Sequence, residues 1–288
     1  MRRLLPLTTA ALLIPLAACG SGDSSGSSPS AADDCTPGIE GGDLVEDGTL
    51  TMSTNATLPP MQYVESGDEI VGMRVDLGKE LAARLCLEPE FVNVPFDAQI
   101  PGVQSGRWDM INTGMFYTPE RAETVTLVPY EIQGVSVSVP AGNPDGITSE
   151  DDLSGKTIAV EAPGYEYDTL EALNAGFQEA GRPEINLQTF HNNADAYQAL
   201  SAGQVDGVAI VESVTTYYQG NGRFETAVSG MNTAPLALGF SDTTVAEAVA
   251  GALRELDEEG YLAELFEEYN VMPYSGPIEV TTGPVSVE

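Results

Sequence analysis

From Lys156 to Val228 the chain alternates strand-like and helix-like segments with short gaps, and this limits the folds open to it. Lys156–Val160 (KTIAV), Ile185–Phe190, Gly207–Val211 and Phe224–Val228 are short, apolar and rich in β-branched residues. Between them lie Tyr167–Ala180, Ala194–Ala202 and Ser213–Gln219, with apolar residues at helical spacing. Successive parallel strands need a crossover, and a helix supplies it, so the segment reads as βαβ units on a parallel sheet.

An equivalent pattern precedes it. Thr49–Ser53 (TLTMS) alternates like a strand, Met61–Glu65 reads as a second short one, and Val75–Leu85 carries a helical apolar face. Glu90–Val94 is strand-like, and Trp108–Asn112 reads as a short buried strand. Thr113-Gly114-Met115 is expected at that strand's end, opening into a helix started by Thr118-Pro119-Glu120-Arg121: Thr as N-cap, Pro at the first helical position, Glu in the first turn. Open α/β sheets bind ligands at such strand ends, and the planar fork of Arg121 suits a carboxylate. The alternative is a solvated charge on a short helix. Gln133–Val139 and Pro235–Phe240 (PLALGF) are two further strand-like stretches, one leaving this half and one returning to it. Helices follow over Asp242–Gly260 and Tyr261–Tyr269, and Gly276–Glu288 reads as a loose tail.

The expected architecture is therefore α/β, with two lobes joined by two crossing strands and a ligand cleft between them. The boundaries are 48–136 with 234–272 for the first, discontinuous lobe, 137–233 for the second, and 273–288 for the tail. The 288 residues hold 42% hydrophobic side chains, enough for sizeable cores. A formal net charge of -33 argues against nucleic acid and anionic membrane surfaces as partners.

Residues 1–18 read as an export signal, with Arg2-Arg3 before an apolar run from Leu4 to Leu16. Leu16-Ala17-Ala18-Cys19 resembles the lipobox of bacterial lipoproteins, in which the Cys becomes the lipidated first residue. Residues 19–47 then hold the lipidated Cys19 and a Gly/Ser/Asp tether. Of three cysteines, Cys35 and Cys86 remain. In an exported chain they are most simply a disulfide, with two separate thiols as the alternative.

Several motifs together resemble the polar-amino-acid type of extracellular solute-binding protein that serves ABC importers. They are Thr54-Asn55-Ala56-Thr57 with Pro59-Pro60, Gly72-Met73-Arg74-Val75-Asp76-Leu77, Val94-Pro95-Phe96-Asp97, Thr113-Gly114-Met115 and Thr118-Pro119-Glu120-Arg121-Ala122. The resemblance runs from about Thr49 to about Tyr269. It implies a periplasmic-binding-protein fold, an extracytoplasmic, membrane-anchored monomer, a permease partner and no enzymatic activity. It makes Arg121 and Gly114 the ligand's carboxylate anchors, Phe96 an apolar wall and Asn55 a cleft residue where the family often has Asp. It also implies a second-lobe acid for the ligand's amine. Counted from Asp206, the usual position is Val211, so either Glu212 takes the role after a one-residue shift or the anchor is absent. Glu161, ending the KTIAV strand, is the other acid aimed at the cleft.

Phe116, Tyr117, Tyr165 and Tyr167 join Phe96 as candidate aromatic walls. A cage of two or three would suit a methylated or cyclic ammonium carboxylate as well as a plain amino acid. His191, the single histidine, has no evident catalytic partner. No Cys/His cluster suggests a metal, and no cofactor is expected. The competing functions are an enzyme on the same fold, dehydratase-like, with Glu161 or Glu212 as general acid, and a sensor that has lost transport.

Overall fold

The computed structural model describes residues 38, 39 and 41–281. Cys19 and Cys35 lie outside them. In chain order the elements are β1 (Thr49–Thr54), β2 (Thr57–Leu58), β3 (Gln62–Val64), β4 (Ile70–Val71), α1 (Met73–Arg84), β5 (Glu88–Asn93), α2 (Gln99–Gln104) and β6 (Met110–Phe116). Then come α3 (Pro119–Ala122), β7 (Thr126–Pro140), β8 (Thr157–Glu161), α4 (Tyr165–Glu179), β9 (Asn186–Phe190), α5 (Asn193–Ser201), β10 (Gly207–Val211) and α6 (Glu212–Gly220). The chain closes with β11 (Phe224–Phe240), α7 (Thr243–Glu258), α8 (Tyr261–Tyr269) and β12 (Met272–Pro273).

One curled sheet runs through the molecule in the order β5-β1-β6-β11-β7-β10-β8-β9. At one end β1 pairs in parallel with β5 and β6; at the other β8 pairs in parallel with β10 and β9. Helices on the sheet faces explain why β1 and β10 are buried along almost their whole length rather than on alternate residues. Leu50, Met52, Leu77, Leu81, Val249 and Leu253 pack one core, and Val137, Ile158, Val160, Leu170 and Ala209 another.

The two groups of parallel strands meet at β7 and β11, which pair antiparallel along their lengths. The sequence suggested shorter stretches here, Phe224–Val228 and Pro235–Phe240 with a break between. In the structure β11 is a single 17-residue strand. The break appears instead as successive register shifts from Thr226 to Ala234. Gly230, at φ 72, sits in that irregular stretch, and a Cβ on Gly134 of β7 would come 2.6 Å from the Gly230 Cα. Two glycines therefore let the crossing strands approach where the lobes join. These paired crossings give the expected two-lobe fold.

Two local expectations change. Thr113 and Gly114 lie inside β6, not beyond its end. The tail, expected loose, is tied down as far as Thr281, whose N–H donates to the Leu127 carbonyl at 2.9 Å while Arg254 Nη1 donates to the Ile278 carbonyl.

Candidate ligand cleft

The Arg121 end of the cleft starts from a defect in β6. The stretch Ile111 to Met115 faces only Gly239 to Ala237 of β11, so β6 bulges between those pairs. Gly114 takes up the bulge at φ 71, a conformation that glycine adopts without strain. Thr113 and Gly114 are thereby displayed to the cleft, and both line it.

Immediately beyond, Thr118 caps α3, its hydroxyl accepting from Arg121 N–H at 3.2 Å, with Pro119 opening the helix as the sequence suggested. The cap aims Arg121 back toward β6. Its Nη1 donates to the Phe116 carbonyl at 2.6 Å, and its Cζ lies 5.2 Å from the Phe96 ring centroid. Among the described residues no carboxylate comes within ion-pair distance of it, so most of its five donors stay available. Burial lowers the guanidinium from its ordinary range, and the carboxylates of Glu166 and Asp168 oppose that. It remains charged at any physiological pH.

The facing wall belongs to β8 and α4. Glu161 ends β8 and receives an amide on each oxygen, Asn55 Nδ2 on Oε1 at 3.0 Å and Asn193 Nδ2 on Oε2 at 2.6 Å. Asn55 follows β1 and Asn193 opens α5, so this carboxyl clasps the two lobes together. Burial pushes Glu161 up to about 8, helped by Glu166 and Asp97, and the two amides only partly offset this. Glu166, in the first turn of α4, also lines the cleft, and burial pushes its carboxyl up as well. Tyr165 stacks on Phe116 across the lobes, with centroids 4.1 Å apart and rings 18° from parallel, and its hydroxyl donates to the Asn232 carbonyl.

The empty space at this end is about 440 Å³ with the open solvent at its mouth included. Beside it a second chamber is lined by Phe96, Asp97, Glu161, Pro163 and His191. Of the candidate site residues, Arg121, Gly114, Phe96, Phe116, Glu161 and Tyr165 line the cleft, and Asn55 joins it through Glu161. Tyr117 and Tyr167 are not among the lining residues.

Glu212 is not brought to the cleft. It lies in a separate groove with Ile132, Gln133, Asn270, Val271 and Met272, while Val211 lines the cleft. Starting α6 at Glu212 rotates that side chain away from the ligand space. Besides Glu161, the acid lining the cleft is Glu166, which the sequence reading passed over. The strand-end rule applied to β8, as it was to β6, points to it. Arg74 was also missed. It is buried in the first turn of α1, yet lines the cleft behind Gly114.

Residues 50–272 match the family model of bacterial extracellular solute-binding proteins, family 3. Among similar proteins is the arginine-binding extracellular protein ArtP of Bacillus subtilis (strain 168), 29% identical over 276 residues that cover 92% of this chain and 96% of that protein. The L-cystine-binding protein TcyJ of Escherichia coli (strain K12) is 25% identical, covering 78% of this chain and 83% of that one. Among solved structures, an ancestral arginine-binding protein bound to glutamine matches with a TM-score of 0.70 at 28% identity, over 77% of this chain and 97% of that one. The ancestral amino acid-binding protein AncCDT-1, a precursor of cyclohexadienyl dehydratase, matches with a TM-score of 0.69 at 27% identity, over 77% and 95%. With a match across most of its length, the chain belongs to family 3 of the bacterial extracellular solute-binding proteins.

Proposed function

We propose that this protein captures a free α-amino acid outside the cytoplasm and delivers it to an ABC importer. The observation that carries the reading is the division of charge across the cleft. Arg121 offers unneutralised donors on one lobe, while Glu161 and Glu166 face it from the other with no ion-paired cation among the described residues. A zwitterion fits that division. Its carboxylate takes the Arg121 fork and the Gly114 N–H, and its ammonium lies against Glu166 and Glu161. Phe96, Phe116 and Tyr165 exclude water around it.

A cationic side chain is favoured, because the adjoining chamber adds Asp97 to Glu161, and several relatives are named for arginine. L-Arginine is therefore the first candidate. The test is calorimetric titration of an amino-acid panel into the soluble protein beginning at Ser21. Saturable binding of L-arginine supports the reading; a panel with no binder overturns it.

The lipid anchor at Cys19, the Cys35–Cys86 disulfide, the lobe boundaries at 136/137 and 233/234 and the monomeric state belong to the same reading. They rest on the lipobox, the export context and the crossing strands.

A second reading is an enzyme that eliminates water from a carboxylate, with Glu161 as the acid. A carboxyl that titrates near 8 can donate a proton at neutral pH, and AncCDT-1 is described as a dehydratase precursor. Amino acids recovered unchanged after long incubation, followed by NMR, would exclude turnover of those compounds.

A further inference from the structure

Behind the carboxylate end of the cleft lies a fully buried ion pair. Arg74 is 1% exposed and Glu131 is fully buried. Arg74 Nε donates to Tyr130 Oη at 2.9 Å and to Glu131 Oε1 at 3.0 Å, and its Nη2 donates to the same Oε1. Its Nη1 donates to Gln62 Oε1 at 2.8 Å. Burial disfavours the charge on Arg74, but the Glu131 carboxylate outweighs this and raises the guanidinium above its ordinary range. The pair is internally neutral, so it does not compete with Arg121 as the charge that attracts an anion.

As a device for stability it is incomplete. Glu131 Oε2 is buried with no hydrogen-bond partner among the described residues. Buried pairs stabilise a fold only when the remaining lone pairs are satisfied, and well-packed apolar replacements are often as stable or more so.

The pair's contacts lead to the β6 bulge. Gln62, held by Arg74, turns its Nε2 to the Thr113 carbonyl at 2.9 Å. A trans peptide carries C=O and N–H on opposite sides, so fixing the Thr113 carbonyl toward Gln62 fixes the Gly114 N–H away from it. The Thr113 hydroxyl accepts from Asn55 N–H at 3.0 Å, and Asn112 Nδ2 donates to the Arg74 carbonyl at 2.7 Å. Gly114 itself lies against the guanidinium: a Cβ there would stand 2.3 Å from Arg74 Cζ.

We infer that Arg74 and Glu131, acting through Gln62, are positioning residues that hold the Gly114 N–H in line for the ligand's carboxylate. The inference rests on the reading of this end of the cleft as the carboxylate site. It accounts for a buried pair placed between α1 and the crossing strand β7 with its guanidinium under the binding loop.

The experiment compares Arg74→Met, Glu131→Leu and the double variant with Gln62→Met, which keeps the Arg74–Glu131 pair and removes the Gln62 bridge from Arg74 Nη1 to Thr113. Three quantities are read: melting temperature, L-arginine affinity by calorimetry, and hydrogen exchange of the Gly114 amide in the ligand-free protein. Each single pair variant leaves one charge buried alone and melts well below wild type. The double variant recovers most of that loss, yet binds L-arginine at least tenfold more weakly and exchanges the Gly114 amide at least tenfold faster, with the Leu50 amide unmoved. Gln62→Met stays folded and shows the same two defects, which covers the case of a double variant that does not fold. Wild-type affinity and wild-type Gly114 exchange in the folded variants would overturn the inference and leave the pair a packing element. If wild type itself fails to bind L-arginine, the ligand reading falls, and the Gly114 exchange still decides the positioning role.

Discussion

Glu161→Gln should uncouple ligand capture from proton release. In the ligand-free protein Glu161 titrates near 8, pushed up first by burial and then by Glu166 and Asp97, against the amides of Asn55 and Asn193. His191 shares the adjoining chamber. At pH 7 a group of that pKa is protonated in about nine-tenths of molecules. An ammonium arriving beside it favours the carboxylate, so binding at pH 7 releases close to one proton, about half at pH 8 and almost none well above. Affinity for L-arginine then rises about fivefold from pH 7 to pH 8. Calorimetry in phosphate and in Tris at pH 7 counts the protons, because the apparent enthalpy differs by that number times the difference in buffer ionisation heats. Glu161→Gln should lose most of the release, with any remainder from Glu166.

Stability carries the same sign. The folded carboxyl binds a proton that the unfolded one has given up between about 4.5 and about 8. Its contribution is therefore full below that window and lost as pH rises through it. The shift sets a ceiling of about 4–5 kcal/mol, and solvent at the cleft mouth reduces this to roughly 2 kcal/mol. Wild type should lose stability across the window, and Glu161→Gln should lose less, with a remainder from the raised carboxyl of Glu166. No proton release by wild type at pH 7, with L-arginine bound, would refute the placing of the ammonium beside a protonated Glu161.

Three further outcomes are expected. Gly114→Ala places a Cβ against Arg74 at a positive φ; it should cost about 1–3 kcal/mol of stability and abolish detectable binding, as read by thermal melts and calorimetry. Tyr165→Ala removes the stack on Phe116, worth about 0.5–1.5 kcal/mol beyond area. Affinity should fall roughly three- to tenfold, and small-angle scattering of the ligand-free form should show a larger radius of gyration. Cys19→Ser should release the protein from membranes; equal partitioning of wild type and variant into detergent would contradict the lipid anchor.

The legible parts of the molecule were those encoded locally. The αβ alternation gave the lobes, and Thr118-Pro119 gave the start of α3 that brings Arg121 to the cleft, because capping and strand-end geometry are set by neighbours in the chain. The Arg74–Glu131 pair was not legible, since its members lie 57 residues apart and meet only in the fold. Glu161 stood out as a strand-end acid, but its clasp depends on Asn55, 106 residues away. Counting from Asp206 led to Val211, which does line the cleft; the one-residue shift to Glu212 fails because α6 begins at that residue and turns it aside. The long run of β11 was read as two stretches, Phe224–Val228 and Pro235–Phe240, because register shifts between Thr226 and Ala234 interrupt its pairing within one strand.

The central claim is that Arg121 holds the carboxylate of an amino acid in a closed cleft. Removing one partner of a buried, hydrogen-bonded charge pair costs about 2–5 kcal/mol, mostly because the other charge is left unpaired. Calorimetric titration of L-arginine into wild type, Arg121→Ala and Arg121→Lys measures this directly. Both variants should fold as wild type by circular dichroism. Arg121→Ala should bind roughly 30-fold to several thousand-fold more weakly, and Arg121→Lys should not restore binding, because an ammonium cannot reproduce the fork. Wild-type affinity in a folded Arg121→Ala protein would contradict the claim.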